Sequence, residues 1–91
     1  MSYFVYILRS QRDGKRYIGM TDNLEKRIKK HNAGKVLSTK SRIPFVLEHR
    51  EECTDRLIAR KREKYFKTAA GRRFLDKLDR ARMVELADTY V

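Results

Sequence analysis

The stretch YFVYILRSQRDGKRYIG, residues 3–19, constrains the fold more than any other part of the chain. Tyr3 to Arg9 is rich in β-branched and aromatic residues and apolar at odd and even positions alike. That is the pattern of a strand covered on both faces, hence central in its sheet. Asp13-Gly14 supplies the positive φ that a tight reversal needs, and RYIG returns as a second, antiparallel strand. If the connecting loop has an even number of residues, even positions of the first strand face odd positions of the second, and Tyr6 and Tyr17 share a face. On spacing alone the two tyrosines read as ordinary strand aromatics, a residue type enriched in sheets.

After the hairpin, Asp22 with Glu25 three residues on predicts a capping-box start and Gly34 a stop, giving a helix from about Asn23 to Asn32. VLSTKSRIP is a basic loop that Pro44 closes. Phe45 to Glu51 reads as a third strand. Thr54 or Asp55 caps a second helix through RLIARKREKYFKT, which Gly71 breaks, and RRFLDKLDRAR forms a third, shorter helix. The expected order is β-β-α-β-α-α, an α+β arrangement of a short sheet covered by helices. Residues 1–80 form the one domain expected. Residues 81–91, ending in RMVELADTYV, lack its basic bias and resemble the translated end of a transfer-RNA gene, so this tail is expected to carry no function.

Charge narrows the partners. Twenty-three Lys and Arg face 12 Asp and Glu, a formal net charge of +11 over 91 residues. Within Arg56 to Arg82 the basic residues outnumber the acidic ones eleven to three. A folded domain of this composition suits a polyanion, with nucleic acid foremost. Cys53 is the single cysteine, which excludes an intrachain disulfide and a cysteine-based zinc site and suits a reducing compartment. No apolar run approaches the ~20 residues of a membrane span, and no secretory signal is recognisable at the start. The default expectation is a cytoplasmic protein with no membrane partner.

Several residues are placed where chemistry is available. Leu24 and Ile28 define the buried stripe of the first helix, and Arg27 and His31, four residues apart, flank it. They read equally well as a guanidinium and imidazole at a cleft or as a snorkelling arginine beside a surface histidine. In the second helix Ile58, Ala59, Phe66, Ala69 and Ala70 form one face. Glu63 lies on its margin as the lone acid among Arg60, Lys61, Arg62, Lys64 and Lys67. A carboxylate within a phosphate-binding face is a candidate ligand for Mg2+, although taken singly Glu63 reads as the partner of an ion pair with Lys67, Lys61 or Arg60. Lys35, Lys40 and Arg42 in the loop, with Arg60, Lys64, Lys67, Arg72 and Arg73, are the candidates for tracking phosphates. His49, between Glu48 and Arg50 on a strand, reads as structural or exposed.

Taken together, FVYIL (Phe4 to Leu8), YIG (Tyr17 to Gly19), YIGMTDNLEKRIKKHNAGK and ARKREKYFKTAAGRRFL resemble the GIY-YIG nuclease family in order and separation. The likeness runs from Ser2 to about Leu78 and is nearest to the small single-domain bacterial members related to the nuclease half of the excision-repair incision subunit. Phe4 and Val5 stand where the family name has Gly and Ile, and no asparagine follows Glu63. The resemblance implies a three-stranded antiparallel sheet flanked by helices and hydrolysis of DNA phosphodiesters. It implies Tyr6, Tyr17, Arg27 and His31 as catalytic residues and Glu63 as ligand of a single Mg2+ or Mn2+. Weakly sequence-specific or structure-directed cutting of branched, damaged or single-stranded DNA in repair or recombination would follow, with a repair-protein partner. A binding protein or a partner-recruited repair subunit, each retaining the fold without turnover, is the rival expectation.

Overall fold

A computed structural model describes the backbone of residues 2–89 and the side chains of residues 2–81. Strand β1 (Tyr3–Ser10) is followed by β2 (Arg16–Thr21), helix α1 (Leu24–Asn32), a 3-10 turn at Lys40–Arg42, strand β3 (Phe45–Cys53), and helices α2 (Arg56–Phe66) and α3 (Ala69–Thr89). The sheet has the order β2-β1-β3 and both pairings are antiparallel. The expected element order and the central position of the first strand are what the chain adopts.

The hairpin turn fixes the register. Ser10 N–H donates to the Lys15 carbonyl, which leaves four residues in the loop, and Gly14 takes a φ of +71°. An even loop opposes Tyr6 to Gly19 and Leu8 to Tyr17, so the two tyrosines are diagonal neighbours on one face. Ser10 is buried and tightens the turn further. Its hydroxyl accepts from Arg12 and Asp13 N–H and donates to the Arg42 carbonyl.

Because β1 is central, alternate residues feed two cores. Val5 and Ile7 pack with Cys53, Ala59, Phe66 and Leu75 under α2 and α3. Tyr6 and Leu8 pack with Leu24 and Phe45 under α1. Burying a Val, Leu, Ile or Phe side chain contributes about 1.5–3 kcal/mol each. A 91-residue chain therefore depends on filling both layers.

A register shift in β3 opposite Ile7 and Leu8 inserts Glu48 as an extra residue. The bulge turns Glu48 and His49 toward the same side of the sheet. Glu48 there binds Arg9 Nε at 2.7 Å and Arg16 Nε at 2.8 Å, neutralising two arginines that face each other across β1 and β2. His49 packs edge-on against Phe66 and Phe74 and meets Glu51 at 3.0 Å. The histidine is structural, as one of the two expectations had it.

Four local expectations are corrected. Asn23, not Asp22, caps α1: its extended backbone lets its side chain accept from Lys26 N–H at 3.1 Å. Helix α2 ends at Phe66, with Lys67 at its C-cap, before Gly71 is reached. Gly71 is instead buried in the first turn of α3, where a Cβ would collide with the Tyr65 carbonyl oxygen and lie 2.6 Å from Phe66 Cα. It permits a close helix–helix crossing rather than a break. Helix α3 consequently starts at Ala69 and its backbone runs on to Thr89, so it is longer than expected and spans the boundary drawn at residue 80. The side chains of the tail from residue 82 onward lie outside the described residues. Finally, Ile58, Ala69 and Ala70 are exposed, and the buried face of α2 is Ala59, Glu63 and Phe66.

Candidate active-site cleft

Strand pairing brings the first two candidate side chains together. The Tyr6 and Tyr17 rings are 6.3 Å apart, and Tyr6 is 1% exposed. The Tyr6 ring lies over the opposite strand at Gly19, where a Cβ would come within 2.5 Å of the phenol carbon and oxygen. Only a residue without a side chain leaves that space, which is what the third residue of YIG provides.

Helix α1 supplies the next two. Arg27 Nε–H donates to the Tyr6 hydroxyl at 3.4 Å. One turn on, His31 is fully buried, with Nε2 at 3.1 Å from the Tyr6 hydroxyl and its ring 4.9 Å from that of Tyr17. The alternative of a surface histidine is therefore excluded. His31 Nδ1 meets Thr39 Oγ1 at 2.8 Å, and Thr39 is itself fully buried within the loop after α1. Asn32 fixes that end of α1 to β3, accepting from Phe45 N–H at 2.7 Å and donating to its carbonyl.

Electrostatics follow from this enclosure. Burial, then the nearby Arg27 and Lys30 charges, pushes the His31 pKa down to about 4, so the ring is neutral at pH 7. Burial pushes the Tyr6 phenol up, while the Arg27 hydrogen bond opposes the rise. Arg27 is held above its ordinary value, chiefly by the Tyr6 hydroxyl, and stays charged.

Helix α2 closes the arrangement. Its rotation is set by Arg62, which binds Glu51 of β3 through two hydrogen bonds of 2.8 and 2.9 Å and stacks on Tyr65 and Phe66. That clip turns the adjoining Glu63 inward to 9% exposure. The nearest described cations are Arg60 Nη1 at 3.7 Å and Lys67 Nζ at 3.9 Å, both long contacts. Glu63 and Tyr17 line one cleft of about 660 Å³, whose rim carries Lys15, Arg16, Lys67 and Arg72. Tyr17 and Ile18 point to opposite sides of β2 yet both line it, so the cleft runs along the open edge of that strand. A second hollow of about 360 Å³ holds Arg27, Arg56 and Arg60.

The structure thus gathers Tyr6, Tyr17, Arg27 and His31 into one contact group, with Glu63 across the cleft from Tyr17. Of the residues expected to track phosphates, Arg60, Lys67 and Arg72 border these hollows. Arg42 does not: it is clipped to Asp13 and the Arg16 carbonyl and lies over the Phe45 ring. Lys35 lies apart with Lys26, Lys29 and Lys30 on the outer side of α1. Lys40, Lys64 and Arg73 are exposed outside both hollows. Sequence reasoning missed Lys15, Arg16 and Arg56, whose positions depend on the turn and on helix docking. It also missed Thr39, which no local pattern marks.

Among the described residues no group of three or more His, Cys, Asp and Glu side chains converges. A metal at Glu63 would therefore rest on one carboxylate, and an inward carboxylate with only long ionic contacts suits an oxygen-seeking ion completed by water and phosphate. No helix in the described residues is long and apolar enough to cross a membrane.

Comparison with known proteins gives consistent likenesses. The GIY-YIG catalytic domain family matches residues 2–76. A UPF0213 protein of Bacillus licheniformis is 43% identical over 67 residues, covering 72% of this chain and 68% of its own. One of Desulfotalea psychrophila is 44% identical over 64 residues, covering 68% of this chain and 57% of its own. The solution NMR structure of a UPF0213 protein from Bacillus halodurans superimposes with a TM-score of 0.54 at 33% identity, over 86% of this chain and 85% of that one.

Proposed function

The chain belongs to the GIY-YIG catalytic-domain family, and from that premise we propose that it is a divalent-metal-dependent DNA endonuclease. It hydrolyses phosphodiester bonds with weak sequence preference or by DNA structure, acting on branched, damaged or single-stranded DNA in repair or recombination in the cytoplasm. The observation that carries this reading is the meeting of a charged guanidinium, two phenols and a neutral imidazole beside a cleft whose other wall presents Glu63.

Each side chain then has a task. Arg27 faces the scissile phosphate and offsets the negative charge that grows on its oxygens. Tyr6 is enclosed and engaged by His31 and Arg27, so Tyr17, which lines the cleft, is the phenol that accepts a hydrogen bond from the attacking water and orients it. His31, neutral at pH 7, holds the Tyr6 hydroxyl and through it the Arg27 guanidinium. Glu63 is the residue that would hold Mg2+ or Mn2+, an ion that when bound supplies charge to polarise the phosphate and steady the leaving oxygen. Lys15, Lys67 and Arg72 lead the phosphate backbone along the β2 edge, which makes affinity fall with salt. Contacts of this kind follow the phosphate backbone and carry no sequence information, which fits weak selectivity or delivery by a repair-protein partner.

The test is incubation of the purified chain with supercoiled, branched and single-stranded DNA in Mg2+ or Mn2+. Nicking that Glu63→Gln and Arg27→Ala each reduce by at least about a hundredfold supports the enzyme. Salt-dependent binding with no metal-dependent nicking on any substrate would replace it with a DNA-binding protein on a nuclease fold.

A further inference from the structure

The buried polar contacts behind the cleft form one directional chain. Arg27 Nε–H donates to the Tyr6 oxygen, so that oxygen's hydrogen must go elsewhere. Among the described residues the acceptor within reach is His31 Nε2, at 3.1 Å. A hydrogen on Nε2 would point at an oxygen that already accepts from Arg27 and would strand the phenolic hydrogen at a site 1% exposed. An unmet donor in such a site costs about 1–3 kcal/mol. Nε2 is therefore the bare nitrogen and Nδ1 carries the hydrogen. Nδ1–H then donates to Thr39 Oγ1 at 2.8 Å, and the Thr39 hydroxyl turns to the Val36 carbonyl at 3.4 Å.

We propose that Thr39 is a positioning residue of the active site, fixing the Nδ1–H tautomer of His31 and thereby the Tyr6 hydroxyl and the Arg27 guanidinium. Nothing about Thr39 reaches the cleft. It acts at three removes, as the hydrogen bond on one ring nitrogen sets the role of the other. The fold places it for this purpose. Thr39 N–H donates to the Val36 carbonyl and Arg42 N–H to the Thr39 carbonyl, so the 3-10 turn anchors the threonine from both sides. Loop 35–39 closes over the buried end of α1 and puts one hydroxyl against one imidazole. Reversing the tautomer would turn the Tyr6 hydrogen away from His31 and leave the Tyr6 oxygen accepting from both His31 and Arg27 with its own hydrogen unmet.

The catalytic half of this inference rests on the nuclease reading, whereas the tautomer half does not. Two-bond 1H–15N correlation spectra of histidine-labelled protein at neutral pH, with His49→Gln used for assignment, report the ring nitrogens of His31 directly. The wild type should show a pyrrole-type Nδ1 and a pyridine-type Nε2. A pyrrole-type Nε2 would overturn the proposal without any variant being made. Thr39→Val should then mix the tautomers, and Thr39→Ser should restore the wild-type pattern. In the nicking assay Thr39→Val should lose about tenfold or more in kcat with KM little changed, since a wrong tautomer in a base-orienting pair is costly, and Thr39→Ser should recover it. An unaltered tautomer and kcat in a folded Thr39→Val protein would refute it. If the wild type nicks no substrate, the nuclease reading fails and the spectra still decide the tautomer.

Discussion

The two faces of β1 are built from alternate residues of one eight-residue strand, yet they are made of different materials. Under α2 and α3 the fully buried residues are apolar, Val5, Ile7, Ala59, Phe66 and Leu75, with the Glu63 carboxylate at the edge of this layer. Under α1 the layer holds Leu8, Leu24 and Phe45 but also a phenol, an imidazole and a threonine hydroxyl, all enclosed. The first face can stabilise by area alone. The second retains polar groups whose hydrogen bonds must all be met, and among the described residues no buried side-chain nitrogen or oxygen lacks a partner. The enclosed phenol, imidazole and hydroxyl thus sit on one side of a single sheet, while on the other side Glu63, 9% exposed on the buried face of α2, stands at the margin of the apolar layer.

Three measurements can break or sharpen that contrast. Phe66 is fully buried in the apolar layer, so Phe66→Ala should lower the unfolding free energy by about 3–5 kcal/mol, read by urea denaturation. A loss under about 1 kcal/mol would mean that this face does not carry the fold.

The layer that encloses polar groups should instead reveal itself through pH. The folded pKa of His31 is about 4 and its ordinary value is 6.5, so the unfolded chain binds the proton more readily between those values. Stability contributed by the neutral ring is present above pH 6.5 and is lost as pH falls toward 4. Between pH 7 and pH 4.5 the wild type should lose about 2–3 kcal/mol more than His31→Gln. Parallel pH curves for the two proteins would contradict the enclosure of the ring.

The smallest effect separates the two phenols. Tyr6→Phe leaves His31 Nε2 buried without a donor and should cost about 1–2 kcal/mol, whereas half-exposed Tyr17→Phe should stay within about 0.5 kcal/mol. Equal costs in thermal or urea unfolding would erase the distinction between an inner and a cleft-facing tyrosine.

What was readable in advance follows the range of the interactions. The period of two along a strand and a parity rule for the turn put Tyr6 and Tyr17 on one face on the condition of an even loop, and the four-residue turn meets that condition. Helical spacing sufficed to put Arg27 and His31 on one side of α1. These are consequences of periods of two and 3.6 residues, which act within an element. Glu63 was placed one step too far out, at the margin of its helix face, because the Arg62–Glu51 clip that turns α2 joins residues on different elements. Thr39 and the bulge at Glu48 depend on loop closure and on pairing across the sheet, and no local period encodes either. The cap of α1 failed for a subtler reason: Asp22 and Asn23 are both good caps, and the exit geometry of β2 selects between them.

The bare position at Gly19 has one more consequence. The Tyr6 phenol occupies the room in which a side chain of residue 19 would stand, so the two positions, thirteen apart in sequence, share a single parcel of space with one tenant. In mutational language they are one locus. Enlarging residue 19 evicts the phenol that Arg27 and His31 hold, and shrinking residue 6 opens a vacancy that residue 19 is the nearest to fill.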